Sequence, residues 1–127
     1  MHRPEAHSFR DLEVWQLSHE LVIATYGLTN LLPRNEEYGL KSPMRRAAVS
    51  IRANIAEEFR RRSWADKARF LNIAQGSLEE LRYYTILGPA LGYFAAGAVD
   101  PLLARVTGTL EAAEYVCWKK AQVQELR

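Results

Sequence analysis

Apolar residues recur along this chain in steps of three and four, a period that predicts helices and no strands. Val14, Leu17, Leu21, Ala24, Leu28 and Leu31 form one such stripe, widened on one side by Trp15, Val22 and Tyr26. Ser8 and Asp11 have capping-box spacing at its start, and Pro33 disfavours helical geometry at Leu32. A first helix is therefore expected over about 9–32. Ser42-Pro43 has the form of an N-cap followed by proline at the first helical position, opening a second helix over about 43–61. Ser63 and Asp66 make another capping box. Phe70, Ile73, Ala74, Ser77, Leu78, Leu81 and Tyr84 then mark the inner side of a third helix, about 64–91. Asp100-Pro101 opens a fourth, about 101–124, carried by Leu103, Val106, Leu110, Ala113 and Cys117.

Pro89 interrupts this regularity. It withholds a donor from the helical ladder and crowds the carbonyl of Thr85. A kink or helix end is expected between Thr85 and Gly88, or else a recovery for one turn through Leu91. Four helices joined by short connections predict an all-α fold, an antiparallel up-and-down four-helix bundle, with residues 1–127 as one domain.

Composition agrees with that picture. At 127 residues, 48% apolar and 25% charged, the chain has the size and balance of an ordinary globular domain, which excludes a disordered tail or a disulfide scaffold. Its single cysteine, Cys117, cannot form an intramolecular disulfide, as suits a reducing compartment. The first residues carry no apolar signal-peptide core. The longest uncharged run, Tyr83 to Val99, has 17 residues and is broken by Gly88, Pro89, Gly92 and Gly97. A spanning helix needs about 20 apolar residues. A soluble cytoplasmic protein without a membrane partner is expected.

Charge changes the picture more. The net value is only +2, but Lys41 to Arg69 hold nine basic residues against Glu57, Glu58 and Asp66. That segment carries +6, so the remainder carries −4. Arg45, Arg46, Arg52, Arg60, Arg61, Arg62, Lys67 and Arg69 are candidates for contacts to nucleic-acid phosphates, which bind arginine forks without regard to sequence. The Arg60–Arg62 run also complements the dipole at a helix C-terminus, which explains it without any ligand.

The second helix has two apolar sides. Met44, Ala48, Ile51, Ile55 and Phe59 fall on one arc suited to the core, while Val49, Ala53 and Ala56 lie opposite, interleaved with Arg45, Arg52 and Arg60. Alanine there can simply be a good helix former. It can also belong to a second packed face, so Val49, Arg52, Ala53 and Ala56 are candidates for a subunit interface, where arginine is enriched.

No pattern points to catalysis or a cofactor. The histidines are His2, His7 and His19; no Glu-x-x-His or His-Glu-x-x-His pair, no paired cysteines and no phosphate-binding glycine loop occur. Glu57 and Glu58, like Glu79 and Glu80, point about 100° apart on a helix, a poor arrangement for shared acid–base work. Cys117 sits on the apolar stripe of its helix, as a small core residue would. A non-enzymatic protein without metal or cofactor is expected.

Several stretches together resemble the bacterial 23S rRNA intervening-sequence (S23) proteins, to which accessory proteins of diversity-generating retroelements are related. The resemblance runs through Phe9-Arg10-Asp11-Leu12-Glu13-Val14-Trp15-Gln16, Glu37-Tyr38-Gly39-Leu40 and Arg45-Arg46-Ala47-Ala48-Val49-Ser50-Ile51. It continues in Asn54-Ile55-Ala56-Glu57 and in Phe70 to Glu80, covering about Phe9 to Tyr93. Glu58 stands where the family usually has glycine, and Pro89 interrupts the usual end of the third helix. The resemblance implies a four-helix bundle assembled as a ring-like homopentamer without enzymatic activity. It also suggests nucleic-acid binding and, on the retroelement branch, a reverse transcriptase partner. Two expectations follow: an oligomer whose basic surface meets RNA or DNA, or a protein–protein adaptor whose arginines serve subunit or partner contacts.

Overall fold

A computed structural model describes residues 9–125. Four helices carry the fold: α1 (Phe9–Thr29), α2 (Ser42–Arg60), α3 (Trp64–Ala90) and α4 (Asp100–Glu125), with no strand among the described residues. They form an all-α four-helix bundle in which α2 packs on α1 and α3, and α4 closes the ring of contacts against both. The core is the sum of their stripes, with Val14, Leu21 and Leu28 of α1 meeting Met44, Ile51 and Ile55 of α2. Leu71, Leu78 and Leu81 of α3 and Leu102 and Val106 of α4 complete it.

Helix starts follow local chemistry, with two departures from expectation. The Ser63 hydroxyl accepts from Asp66 N–H at 3.2 Å, so Ser63 is the N-cap of α3. The Ser8–Asp11 box involves side chains outside the described residues. Ser42 is not an N-cap. Glu37–Lys41 already form one wide π-turn, and Ser42 has helical φ and ψ. Pro43 explains the widening: a proline crowds the carbonyl four residues back, and the looser turn accommodates it. Asp100 is likewise helical already, because a 3₁₀ turn over Ala96–Val99 runs into α4.

Pro89 does not end α3 at Thr85–Gly88; the helix runs through Ala90, which is the expected recovery past the proline. Pro89 withholds one donor from the Thr85 carbonyl, and the helix continues past it. The end is closed by Tyr93 N–H to Gly88 O and Gly92 N–H to Pro89 O, both 3.0 Å, with Gly92 at φ +84°. That is the Schellman pattern, which places glycine in the left-handed position. Phe94 then folds back over Gly88, where a Cβ would stand 2.5 Å from its ring.

Three residues of the expected apolar stripes are outside, Tyr26 among them. Leu31 is exposed because α1 ends at Thr29, before the stripe's last step, and Ile73 of α3 is 44% exposed. Conversely, Thr25, Thr29, Thr85 and Thr109 are fully buried. Each hydroxyl donates to a carbonyl one turn back, at 2.7–2.8 Å, so no polar group is stranded. A partly buried tie also links the chain's loops: Tyr93 Oη donates to Glu36 Oε1 at 3.2 Å, pinning the α1–α2 connection to the end of α3.

Candidate interaction faces

Arginine on an amphipathic helix can lay its planar guanidinium flat on an aromatic ring of the next helix. On the flank of α2 toward α1, two arginines do so. Arg45 lies 4.3 Å from the Tyr26 ring centre and donates from Nε to Thr29 Oγ1 and from Nη2 to Asn30 Oδ1, each at 2.8 Å. Arg52 lies 4.1 Å over Trp15. Its buried Nη1 meets no acceptor among the described residues, and burial lowers the Arg52 pKa.

At the C-terminal end of α2, Arg60 and Arg61 both reach Glu57, at 3.2 and 3.0 Å. Arg61 and Arg69 each stand 4.8 Å from the Phe70 ring centre. Lys67 is not on the surface. It is 8% exposed, donates to the Glu58 carbonyl at 2.9 Å and lies 3.7 Å from the Glu58 carboxylate, which is itself 2% exposed. Arg46, Arg60, Arg62 and Arg69 are the exposed members of the eight.

The eight residues therefore do not make one basic surface. Arg45 and Arg52 line the α1–α2 flank, Arg60, Arg62 and Arg69 gather around the α2–α3 turn, and Lys67 is internal. The buried pair was legible in phase alone: Glu58 continues Ile51 and Ile55, and Lys67 precedes Leu71, Ala74 and Leu78.

The second side of α2 is open. Val49 and Ala53 are exposed, while Arg52 and Ala56 are partly covered. Ile23 and Tyr26 of α1 and Tyr38 of the connecting turn are exposed nearby in the sequence-linked α1–α2 unit. Tyr26, Tyr38, Lys41, Arg45, Arg46 and Val49 line an open groove of about 850 Å³. Sequence reading passed over Tyr38, whose single aromatic ring in a polar connection belongs to no stripe.

Between α2 and α3 the surface is polar. Ser50 and Ser77 hydroxyls meet at 2.9 Å, and Tyr84 Oη donates to Glu80 at 3.1 Å. With Arg46 they border a smaller groove of about 260 Å³. Partial desolvation, together with the Glu80 hydrogen bond, raises the Tyr84 pKa.

No group of three His, Cys, Asp or Glu side chains that could hold a metal occurs among the described residues. His19 is exposed, Cys117 is half-buried, and Glu57 and Glu58 point to different environments. No helix among the described residues is long and apolar enough to cross a membrane.

Residues 10–112 match the family model described as 23S rRNA-intervening sequence protein. The chain belongs to that family. In a solved structure the same fold occurs in a protein of unknown function from the S23 ribosomal protein family of Bacteroides thetaiotaomicron VPI-5482. The TM-score is 0.80 at 23% identity, over 86% of this chain and 98% of that one. No curated protein matches. Family and fold agree with the resemblance carried by the helix-one, helix-two and helix-three stretches. Neither description names an enzyme.

Proposed function

We propose that this chain is a non-catalytic assembly protein that packs against copies of itself through the α1–α2 face. The observation that carries this is the exposed apolar surface of Tyr26, Tyr38 and Val49, which line one groove bordered by an arginine held flat against Tyr26. Apolar surface in a contiguous exposed patch favours burial, at about 25 cal/mol per Å² removed from water. Arginines already stacked and hydrogen-bonded are pre-ordered, so they lose little side-chain entropy when a partner covers them. A ring of five copies is the assembly that the family resemblance implies.

Light scattering across a concentration series tests this. The expected mass is a multiple of 14.5 kDa. A monomeric mass up to about 100 μM, well above the micromolar range of ordinary specific contacts, would overturn it.

A second activity is favoured by one separate observation. Arg60, Arg62 and Arg69 are exposed together around the α2–α3 turn, away from the stacked pair. That cluster offers phosphate contacts to RNA or DNA at an end of the bundle that self-assembly through the α1–α2 face leaves open. Such binding would show little sequence preference and fall steeply with salt.

A further inference from the structure

The polar groove between α2 and α3 carries a charge arrangement of its own. Arg46 and Ser50 stand one turn apart on α2, and Ser77, Glu80 and Tyr84 follow one another along the facing side of α3. Ala47 lines the groove without filling it, being small and itself buried. One chain supplies every one of these groups.

Two donors there have no acceptor. Ser50 and Ser77 share one hydroxyl proton across 2.9 Å, and Asn54 Nδ2 also donates to Ser50 Oγ at 3.2 Å. Two hydroxyls carry two protons, so whichever serine donates, the O–H of the other meets no acceptor among the described residues. The exposed Arg46 guanidinium likewise forms no hydrogen bond or ion pair among them. On α3, Glu80 accepts from Tyr84 Oη at 3.1 Å and forms no ion pair among the described residues. Desolvation and the Glu80 bond raise the Tyr84 pKa, while the nearby Arg46 charge pulls it down. Arg46 and Glu80 thus border one groove, opposite in charge and not in contact.

We propose that this groove binds a small free amino acid, its carboxylate on Arg46 and the spare serine O–H, its ammonium group on Glu80. A simple anion would meet repulsion from Glu80, and a simple cation would meet it from Arg46. A zwitterion satisfies both walls. Hydrogen bonds in which one partner is charged are roughly twice as strong as neutral ones. The groove holds about 260 Å³, below the roughly 300–1,000 Å³ of sites for drug-sized ligands, which suits a guest of few heavy atoms.

Equilibrium dialysis of the full chain against radiolabelled glycine, L-alanine and L-serine tests this. Acetate and methylammonium serve as probes that carry one charge each. At least one of the three amino acids is expected to bind, one per chain, with a Kd below about 10 mM. Acetate and methylammonium should bind about tenfold more weakly or less. Arg46→Gln and Glu80→Gln should each weaken the amino acid about tenfold. Both positions are exposed, and unchanged helical circular dichroism verifies that the variants fold. Arg62→Gln, exposed beyond the other end of α2, should leave binding unchanged. No binding of any of the three up to about 10 mM overturns the proposal. So does acetate binding as tightly as the amino acids, which would make the groove an anion site. Equal weakening by Arg62→Gln also overturns it, because the effect would then be one of net charge.

Discussion

Lys67 Nζ lies 2.9 Å from the carbonyl oxygen of Glu58 and 3.7 Å from its carboxylate, and both side chains are buried where α2 turns into α3. A charge removed from water is tolerated only when its partner and its hydrogen bonds are both in place. The pair therefore ties the start of α3 to the end of α2.

Removing one member leaves the other buried and uncompensated. Lys67→Met or Glu58→Leu alone is expected to cost about 3–5 kcal/mol. The double replacement Glu58→Leu/Lys67→Met removes both charges and is expected to recover most of that loss. Urea denaturation of the three variants measures the cycle. A double-variant loss equal to the sum of the two single losses would show that the pair is not coupled.

Gly88 supports the end of α3 by lacking a side chain. A Cβ there would stand 2.5 Å from the Phe94 ring, and Phe94 is buried. Gly88→Ala is expected to destabilise by about 1–3 kcal/mol, as overpacking does. A slimmer residue at 94 should relieve it, so Phe94→Leu should cost less in the Gly88→Ala background than in wild type. Thermal unfolding of the four proteins decides this.

The helices were legible because each stripe repeats over many residues and each start carries a cap or a proline. Val14, Leu21 and Leu28 kept to the core, and Leu31 left it only because the helix stopped first. Pro89 left two endings open, and the structure takes the recovery: α3 passes the proline and closes after Ala90 through Gly92. The basic run, by contrast, misled. Counting charges from Lys41 to Arg69 cannot distinguish Lys67, turned into the core beside Glu58, from Arg62, exposed beyond the end of α2. Nor does a linear count show that Arg45 and Arg52 meet rings some 19 and 37 residues earlier, at Tyr26 and Trp15.

Those ring contacts make opposite predictions for two substitutions at position 52. Stacking on Trp15 contributes about 0.5–2 kcal/mol. Leaving Nη1 buried without an acceptor costs about 1–3 kcal/mol. Arg52→Met keeps the apolar stem over the indole and removes the stranded donor, so stability should change by about 1 kcal/mol or less in either direction. Arg52→Ala uncovers the indole and should shift Trp15 emission to the red with a larger loss of stability. Fluorescence and urea midpoints check both.

The arginines around the α2–α3 turn can be separated from the stacked ones by salt dependence. Phosphate contacts release counterions, so the slope of log affinity against log salt is about −0.9 per contact on duplex DNA. If Arg60, Arg62 and Arg69 supply those contacts, changing all three to Gln should flatten the slope by up to about 3 units. Arg45→Gln should leave the slope unchanged, because that guanidinium is held by Tyr26, Thr29 and Asn30. Equal flattening by Arg45→Gln would instead place nucleic acid on the α1–α2 face. It would then compete with assembly, and duplex DNA should lower the mass seen by light scattering.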